Sequence, residues 1–166
     1  MLVREATITF IDFEGTGAVA AYPDEPWQLG LVLWRRGELI RESLTSQLLH
    51  VADRPFNPHA PGRHASCREA LESAPHLPDL WTSLRHWFDS DAIAAHNVAT
   101  EKRYLRKAFP MLRIPQWIDT LTLARAAYPG LKSYALEDLV NALHLETDLN
   151  ALVPDKGPHD ALYDAV

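Results

Sequence analysis

Three short segments carry side chains that could do chemistry together. The first, Phe10-Ile11-Asp12-Phe13-Glu14-Gly15-Thr16-Gly17, ends an apolar run with two carboxylates two residues apart, a spacing that puts both on one face of a strand. Neighbouring carboxylates repel; they persist as two anions when a cation neutralises them, and hard divalent ions with oxygen ligands do so well. The glycines that follow let backbone approach a ligand closely. The second segment, Ala95-His96-Asn97-Val98-Ala99-Thr100-Glu101, joins a short apolar strand to a helix and places Glu101 in its first turn. An acid there also suits the helix dipole. The third runs from Gly157 through His159 to Asp164. Five positions on a helix are about 140° apart on the wheel, so His159 belongs to the loop beside Pro158 and Asp164 to the helix. Taken singly, each segment has a plain structural role: a cap or turn for Asp12 and Glu14, dipole complementarity for Glu101, a cap or surface position for His159.

The elements that must position these groups can be read along the chain. Ala6 to Phe13 reads as a strand covered on both faces, and Trp27–Trp34 and Leu39–Leu49 as two more, joined by the tight Arg35-Arg36-Gly37-Glu38 connection. Residues 52 to 62 are too rich in proline for regular structure. Beyond them the pattern predicts helices around Arg68–Ser73 and Asp79–Phe88, a strand at Ala92–Ala95, and a helix from Ala99 to Phe109 stopped by Pro110. A brief strand at Trp117–Asp119 and helices at Leu121–Tyr128 and Tyr134–Leu143 complete the reading. Strands first, then alternating helices and strands, indicate an α/β sheet with an antiparallel edge.

Composition narrows the function classes. The chain has 166 residues, 47% hydrophobic and 23% charged, which predicts one folded domain over residues 1–166 and excludes low-complexity behaviour. No apolar run approaches the ~20 residues of a membrane span, and no basic-then-apolar leader opens the chain, so a cytoplasmic address is expected. Cys67 is the only cysteine; an internal disulfide is impossible, a cysteine-based zinc site is disfavoured, and Cys67 reads as a small buried filler. A net charge of −6 disfavours a DNA-coating protein, but loaded metal ions would reverse the sign around an acidic cluster. Lys102, Arg103, Arg106, Lys107 and Arg113 crowd one stretch, either as a solvated helix face or as a local guide for phosphates. Trp81 and Trp87, six residues apart on the same predicted helix, read as core.

In order and local context the three segments together resemble the DEDDh group of 3′-to-5′ exonucleases, relatives of the proofreading subunit of bacterial replicative DNA polymerases, oligoribonuclease and RNase T. In that group an Asp-X-Glu strand is followed by a His-Asn turn with an acid four residues after the Asn, then by a His with an Asp five residues later. The Trp117–Leu121 and Pro129–Leu136 stretches resemble the family's middle region as well. The resemblance implies a ribonuclease H-like three-layer α/β fold, with a mixed sheet of about five strands flanked by helices. It implies hydrolysis of 3′-terminal phosphodiester bonds in single-stranded DNA or RNA, or in short oligonucleotides, with release of nucleoside 5′-monophosphates. Two divalent ions, Mg²⁺ or Mn²⁺, would be held by Asp12, Glu14, Glu101 and Asp164, with Asp12 bridging them and Glu101 reaching one through water. His159 would be the general base, and Gly15, Thr16, His64, His96 and Asn97 would touch substrate. Three departures stand out. Glu101 occupies a position usually held by Asp, Thr100 replaces an aromatic residue that touches the terminal nucleotide, and Gly15 replaces a frequent Thr. The chain also ends two residues after Asp164, so a short, fraying last helix is expected. The alternative reading is a nucleic-acid-binding module of the same fold with weak or no turnover. Oligomeric state and the choice between DNA and RNA are left open.

Overall fold

A computed structural model describes residues 3–60, 62 and 64–166. Its centre is a five-stranded sheet of order β3-β2-β1-β4-β5, built from β1 (Thr7–Gly15), β2 (Pro26–Arg35), β3 (Glu38–Leu48), β4 (Ala92–Ala95) and β5 (Trp117–Asp119). β1 to β3 form an antiparallel meander, while β4 and β5 join parallel to β1. The helices are α1 (His64–Glu72), α2 (Trp81–Leu84), α3 (Ala99–Ala108), α4 (Thr120–Ala127), α5 (Leu136–Ala142), α6 (Glu146–Leu152) and α7 (Ala161–Ala165).

The two faces of β1 explain how the sheet is covered. Ile11 and Phe13 point to the main core, where Leu29 and Leu31 of β2, Tyr104 and Leu105 of α3, and Trp87 and Phe88 pack together. Ile8 and Phe10 point to a second cluster with Ala94, Trp34 and Ile118. Asp12 and Glu14 continue this second face, as the two-residue period requires. The strand is therefore apolar on both sides until its last turns, where one face becomes acidic.

Several expectations are corrected. The single helix expected at Asp79–Phe88 is broken into a 3-10 turn at Leu77–Leu80, the one-turn α2 and a 3-10 turn at Arg85–Asp89. Thr9 and Ser90 hydroxyls both donate to the Trp87 carbonyl, at 2.7 and 3.0 Å, which takes that group out of a regular helical ladder. Trp87 is core, but Trp81 is 41% exposed and lies at the rim, its ring 5.1 Å from Phe109. Cys67 is half-buried beside the Trp27, Val51 and Leu71 cluster rather than enclosed. No helix among the described residues is long and apolar enough to cross a membrane.

One polar cluster locks α3 to the loop after β1. Asp24 accepts from Tyr104 Oη at 2.5 Å, from Arg103 at 2.6 Å and from the Gly17 N–H at 2.8 Å. These donors hold the Asp24 carboxyl below its ordinary range despite its burial. Gly15 leaves room for the contact, since a Cβ there would lie 2.4 Å from Tyr104 Oη. Tyr104→Phe removes a hydrogen bond to a charged acceptor worth ~2 kcal/mol, so thermal unfolding should occur ~6 °C lower. An unchanged melting temperature would show that the cluster contributes nothing.

Candidate active site

The parallel strands set the position of the site. Phe10 of β1 pairs with Ala94 of β4, and Ala95 pairs with Asp119 of β5, so the ends of all three strands lie beside the Asp12 and Glu14 pair. Crevices at such carboxyl ends are where open α/β sheets bind ligands. The turn after β4 puts Asn97 in the left-handed region (φ 65°), which Asn tolerates well, and its N–H donates to Asp119 Oδ1 at 3.1 Å. α3 then starts, and Glu101 in its first turn is buried, only 3% exposed. His96 serves as a tether here. Its Nδ1 lies 3.1 Å from Thr120 Oγ1 and its Nε2 2.9 Å from the Tyr134 carbonyl, so both ring nitrogens are committed to protein.

The fourth acid arrives on α7, and β2 receives it. Gly30 is the cross-strand partner of Asp12 and Gln28 that of Glu14. A Cβ at Gly30 would stand 2.0 Å from the Ala161 carbonyl oxygen, so α7 lies directly on bare β2 backbone. Gln28 fixes the start of the helix, accepting from Ala161 N–H at 3.2 Å and donating to Asp160 at 3.1 Å, while Asp160 caps the Leu162 N–H. Ala161, Leu162 and Ala165 are buried, and this packing, rather than the intrinsic stability of five residues, holds α7. His159 precedes the helix with φ 64°, an unusual conformation for a residue with a Cβ. Its N–H donates to Asp164 Oδ2 at 3.1 Å, and its Nε2 stands 3.7 Å from Glu137 Oε1.

Glu14, His159 and Asp164 each bring a ligand atom within 4.8 Å of the others, and Asp12 feels Asp164, Glu101 and Glu14 as repelling neighbours. Glu14, His159 and Asp164 thus share one cluster, and Asp12 and Glu101 lie within electrostatic reach of it or of each other. Burial first, then these like charges, pushes the Asp12 carboxyl well above the ordinary range. Glu14 is raised to about 7 by burial and then by Asp164 and Asp160, Glu101 to about 7 by burial, with Asp119 adding, and Asp164 to about 6 by burial against the pull of His159.

The donor set fits hard divalent cations. Glu101 Oε2 is buried with no hydrogen-bond partner, a deficit of ~1–3 kcal/mol, and four converging carboxylates offer the all-oxygen environment such ions prefer.

Each raised carboxyl holds its proton more tightly in the folded chain than in the unfolded one. Between roughly pH 4 and pH 7 the folded state therefore binds more protons, and stability falls as pH rises. Asp24 and Asp160 act in the opposite sense, their pKa values being lowered; their contribution is present above the unfolded carboxylate range and is lost below it. The metal-free protein should melt ~5 °C higher at about pH 5.5 than at about pH 8. Mg²⁺ or Mn²⁺ should restore most of that difference at the higher pH and little at the lower one. A metal-free melting temperature that rises across this window would exclude like-charge repulsion in the cluster.

The remaining candidates are placed less uniformly. Gly15 closes β1 beside Tyr104 and Asp24. Thr16 is fully enclosed, its hydroxyl accepting from the Glu25 N–H at 3.0 Å, so in this conformation it braces the loop and cannot touch substrate. His64 stacks on Phe56 at 4.4 Å near the acids: a Cβ at neighbouring Gly62 would lie 3.3 Å from the His159 carbonyl and 3.4 Å from Glu14 Oε2. Sequence reading missed Gln28, Gly30, Asp160 and Asp119. The one available signal was Gly30, a glycine inside an otherwise large-residue strand.

A meander followed by two parallel strands, flanked by helices and with acids at its central carboxyl ends, defines a ribonuclease H-like nuclease fold. Residues 9–166 match the RNase T exonuclease family model, and the chain belongs to that family. The PolC-type DNA polymerase III of Bacillus subtilis (strain 168) is 28% identical over 168 residues, a match covering 98% of this chain and 11% of the polymerase. The chain thus spans about a tenth of that relative. E. coli Exonuclease I in complex with a dT13 oligonucleotide superposes with a TM-score of 0.71 at 19% identity, covering 97% of this chain and 39% of that one. The nuclease domain of 3′hExo, a DEDDh family member bound to rAMP, gives 0.70 at 16% identity, covering 96% and 86%.

Proposed function

We propose that this domain removes nucleotides from the 3′ end of single-stranded DNA or RNA, or of short oligonucleotides, by hydrolysis, releasing nucleoside 5′-monophosphates. The observation that supports this reading is the cluster of Glu14, His159 and Asp164, with the Asp12 carboxyl facing the charges of Asp164, Glu101 and Glu14, from three distant segments. Asp12, Glu14 and Asp164 would hold one divalent ion, Mg²⁺ or Mn²⁺, and Asp12 with Glu101 a second. Such ions supply the positive charge and the acidified water that a phosphodiester needs for hydrolysis.

The chain's own groups do the rest. His159 takes the proton of the attacking water, and the Asp164 bond to its N–H holds the backbone that aims the ring. Gly62 lies against Glu14 and the His159 carbonyl, so His64, which opens α1 two residues later, is the residue placed to meet the terminal sugar or base. Thr100 offers no aromatic surface, so grip on the last base is weak and specificity falls on the backbone.

Nucleotide release from a single strand labelled at its 3′ end, with Mg²⁺ or Mn²⁺, tests the proposal. Metal-dependent release that disappears in Asp12→Ala is expected. Release without added metal, or none from the wild type, overturns it, the latter in favour of a binding module that has lost turnover.

A further inference from the structure

Five cations crowd residues 102–113, and the fold divides them. Arg103 and Lys107 pair with Asp24 and Glu25 at 2.6 and 3.1 Å, tying α3 to the segment between β1 and β2. Lys102, Arg106 and Arg113 form no ion pair among the described residues. All three line a groove of about 390 Å³ at the β5 edge of the sheet. Its floor is apolar: Phe109 is buried, and Leu112, Ile114 and Trp117 pack half-buried against the main core. That core is the one Ile11 and Phe13 of β1 enter, whereas Asp12 and Glu14 alternate with them and face the other side of the sheet. An occupant of the groove is therefore held apart from the acids and need not be what they act on.

In a chain of net charge −6, three unpaired cations on one rim make a local patch complementary to an acidic partner. Arg113 meets the carbonyls of Pro110 and Leu112, both at 3.4 Å, which leaves its charge uncompensated. Guanidinium forks suit carboxylates and phosphates alike, so the floor decides between them. Single-stranded nucleic acid is held by stacking bases on open aromatic faces. Here Lys102 Nζ already stands 5.3 Å from the Trp117 ring centroid, and Leu112 and Ile114 present aliphatic groups rather than flat ones. A floor of that kind seats a large apolar side chain, as protein segments bring to a groove.

We propose that this groove docks an acidic segment of a partner protein. Its carboxylates lie on Arg106 and Arg113, and one large apolar side chain sits on Leu112, Ile114 and Trp117. With the sheet between them, a docked segment leaves the acid cluster open, so the partner recruits the domain without blocking it. The inference stands whether or not the acid cluster cuts nucleic acid.

Fluorescence anisotropy reads the docking with a fluorescein-labelled peptide of about ten residues, in which aspartates flank one phenylalanine and one leucine. EDTA keeps divalent ions from bridging the peptide to the acid cluster. Wild type should bind the peptide, and the Arg106→Gln/Arg113→Gln double variant should bind it about 10-fold more weakly. Both side chains are exposed and unpaired, so the variant should keep the wild-type melting temperature. Replacing the two apolar residues of the peptide by alanine should also weaken binding about 10-fold, which charge attraction alone would not do. Lys107→Gln, on the same helix but paired with Glu25, should bind within about 2-fold of wild type. A thymidylate oligomer of about 15 nucleotides, at equal concentration, should leave the peptide bound. The proposal is overturned by a wild type that does not bind, by equal weakening in Lys107→Gln, or by indifference to the alanine peptide. Displacement by the oligomer overturns it in favour of nucleic acid, and a wild-type dimer that the double variant dissociates overturns it in favour of a second copy of this chain.

Discussion

Asp12→Asn is expected to remove nuclease activity, by ~10³-fold or more, while raising the melting temperature of the metal-free protein. Asp12 sits among three other carboxylates on a face that is apolar upstream. Burial and the charges of Asp164, Glu101 and Glu14 already drive it toward its protonated form, and asparagine is nearly isosteric with that form. Deleting the charge relieves repulsion for every remaining acid, so a gain of ~3–6 °C at about pH 8 is expected. On the proposed function the charge is needed for holding cations, and losing several kcal/mol of transition-state stabilisation would account for the fall in rate. Divalent ions should also cease to raise the melting temperature of the variant. Opposite signs for stability and activity are what a binding cluster predicts and what a structural ion network does not. A variant that is both inactive and destabilised, as a core substitution would be, would assign Asp12 to the architecture.

What the sequence made legible was local. The acids of β1, the turn after β4, and the loop position of His159 against the helical position of Asp164 follow from two-residue and helical periods, and the structure places all of them so. What escaped depends on partners far along the chain. Gln28 and Gly30 matter because α7, some 130 residues later, lands on them, and nothing near β2 announces this. The sequence presents the short last helix as an isolated one; its tertiary packing, which buries Ala161, Leu162 and Ala165, was not legible near Asp164. α6 was missed because Leu149 is its only buried residue, too little for a periodic apolar stripe. The basic stretch looked uniform, whereas the fold commits Arg103 and Lys107 to acids, Asp24 and Glu25, and gives Lys102, Arg106 and Arg113 no ion pair among the described residues.

Gly30→Ala should break the site from behind while leaving every ligand residue in the chain. The added Cβ would stand 2.0 and 2.2 Å from the Ala161 carbonyl oxygen and carbon and 2.4 Å from the Leu162 nitrogen. These are backbone atoms, which have no rotamer to escape into, so α7 must lift off β2. Overpacking of this kind costs ~1–3 kcal/mol or more, which corresponds to ~5–10 °C in melting temperature for a chain of this size. Asp164 rides on the displaced helix, and the His159 N–H is bonded to it, so the two residues leave the cluster together. A misplacement of ~1 Å lowers rates by about 100-fold, and stabilisation by Mg²⁺ or Mn²⁺ should vanish even well below the melting point. Gly37→Ala separates this effect from the general strain of replacing a glycine. Gly37 has φ 91° with nothing near its missing Cβ, so its substitution strains a turn at the far end of β2 and should leave kcat within about 2-fold. If Gly30→Ala keeps wild-type kcat and metal response, α7 does not depend on that close approach, and Asp164 is held by Gln28 and the buried face of the helix alone.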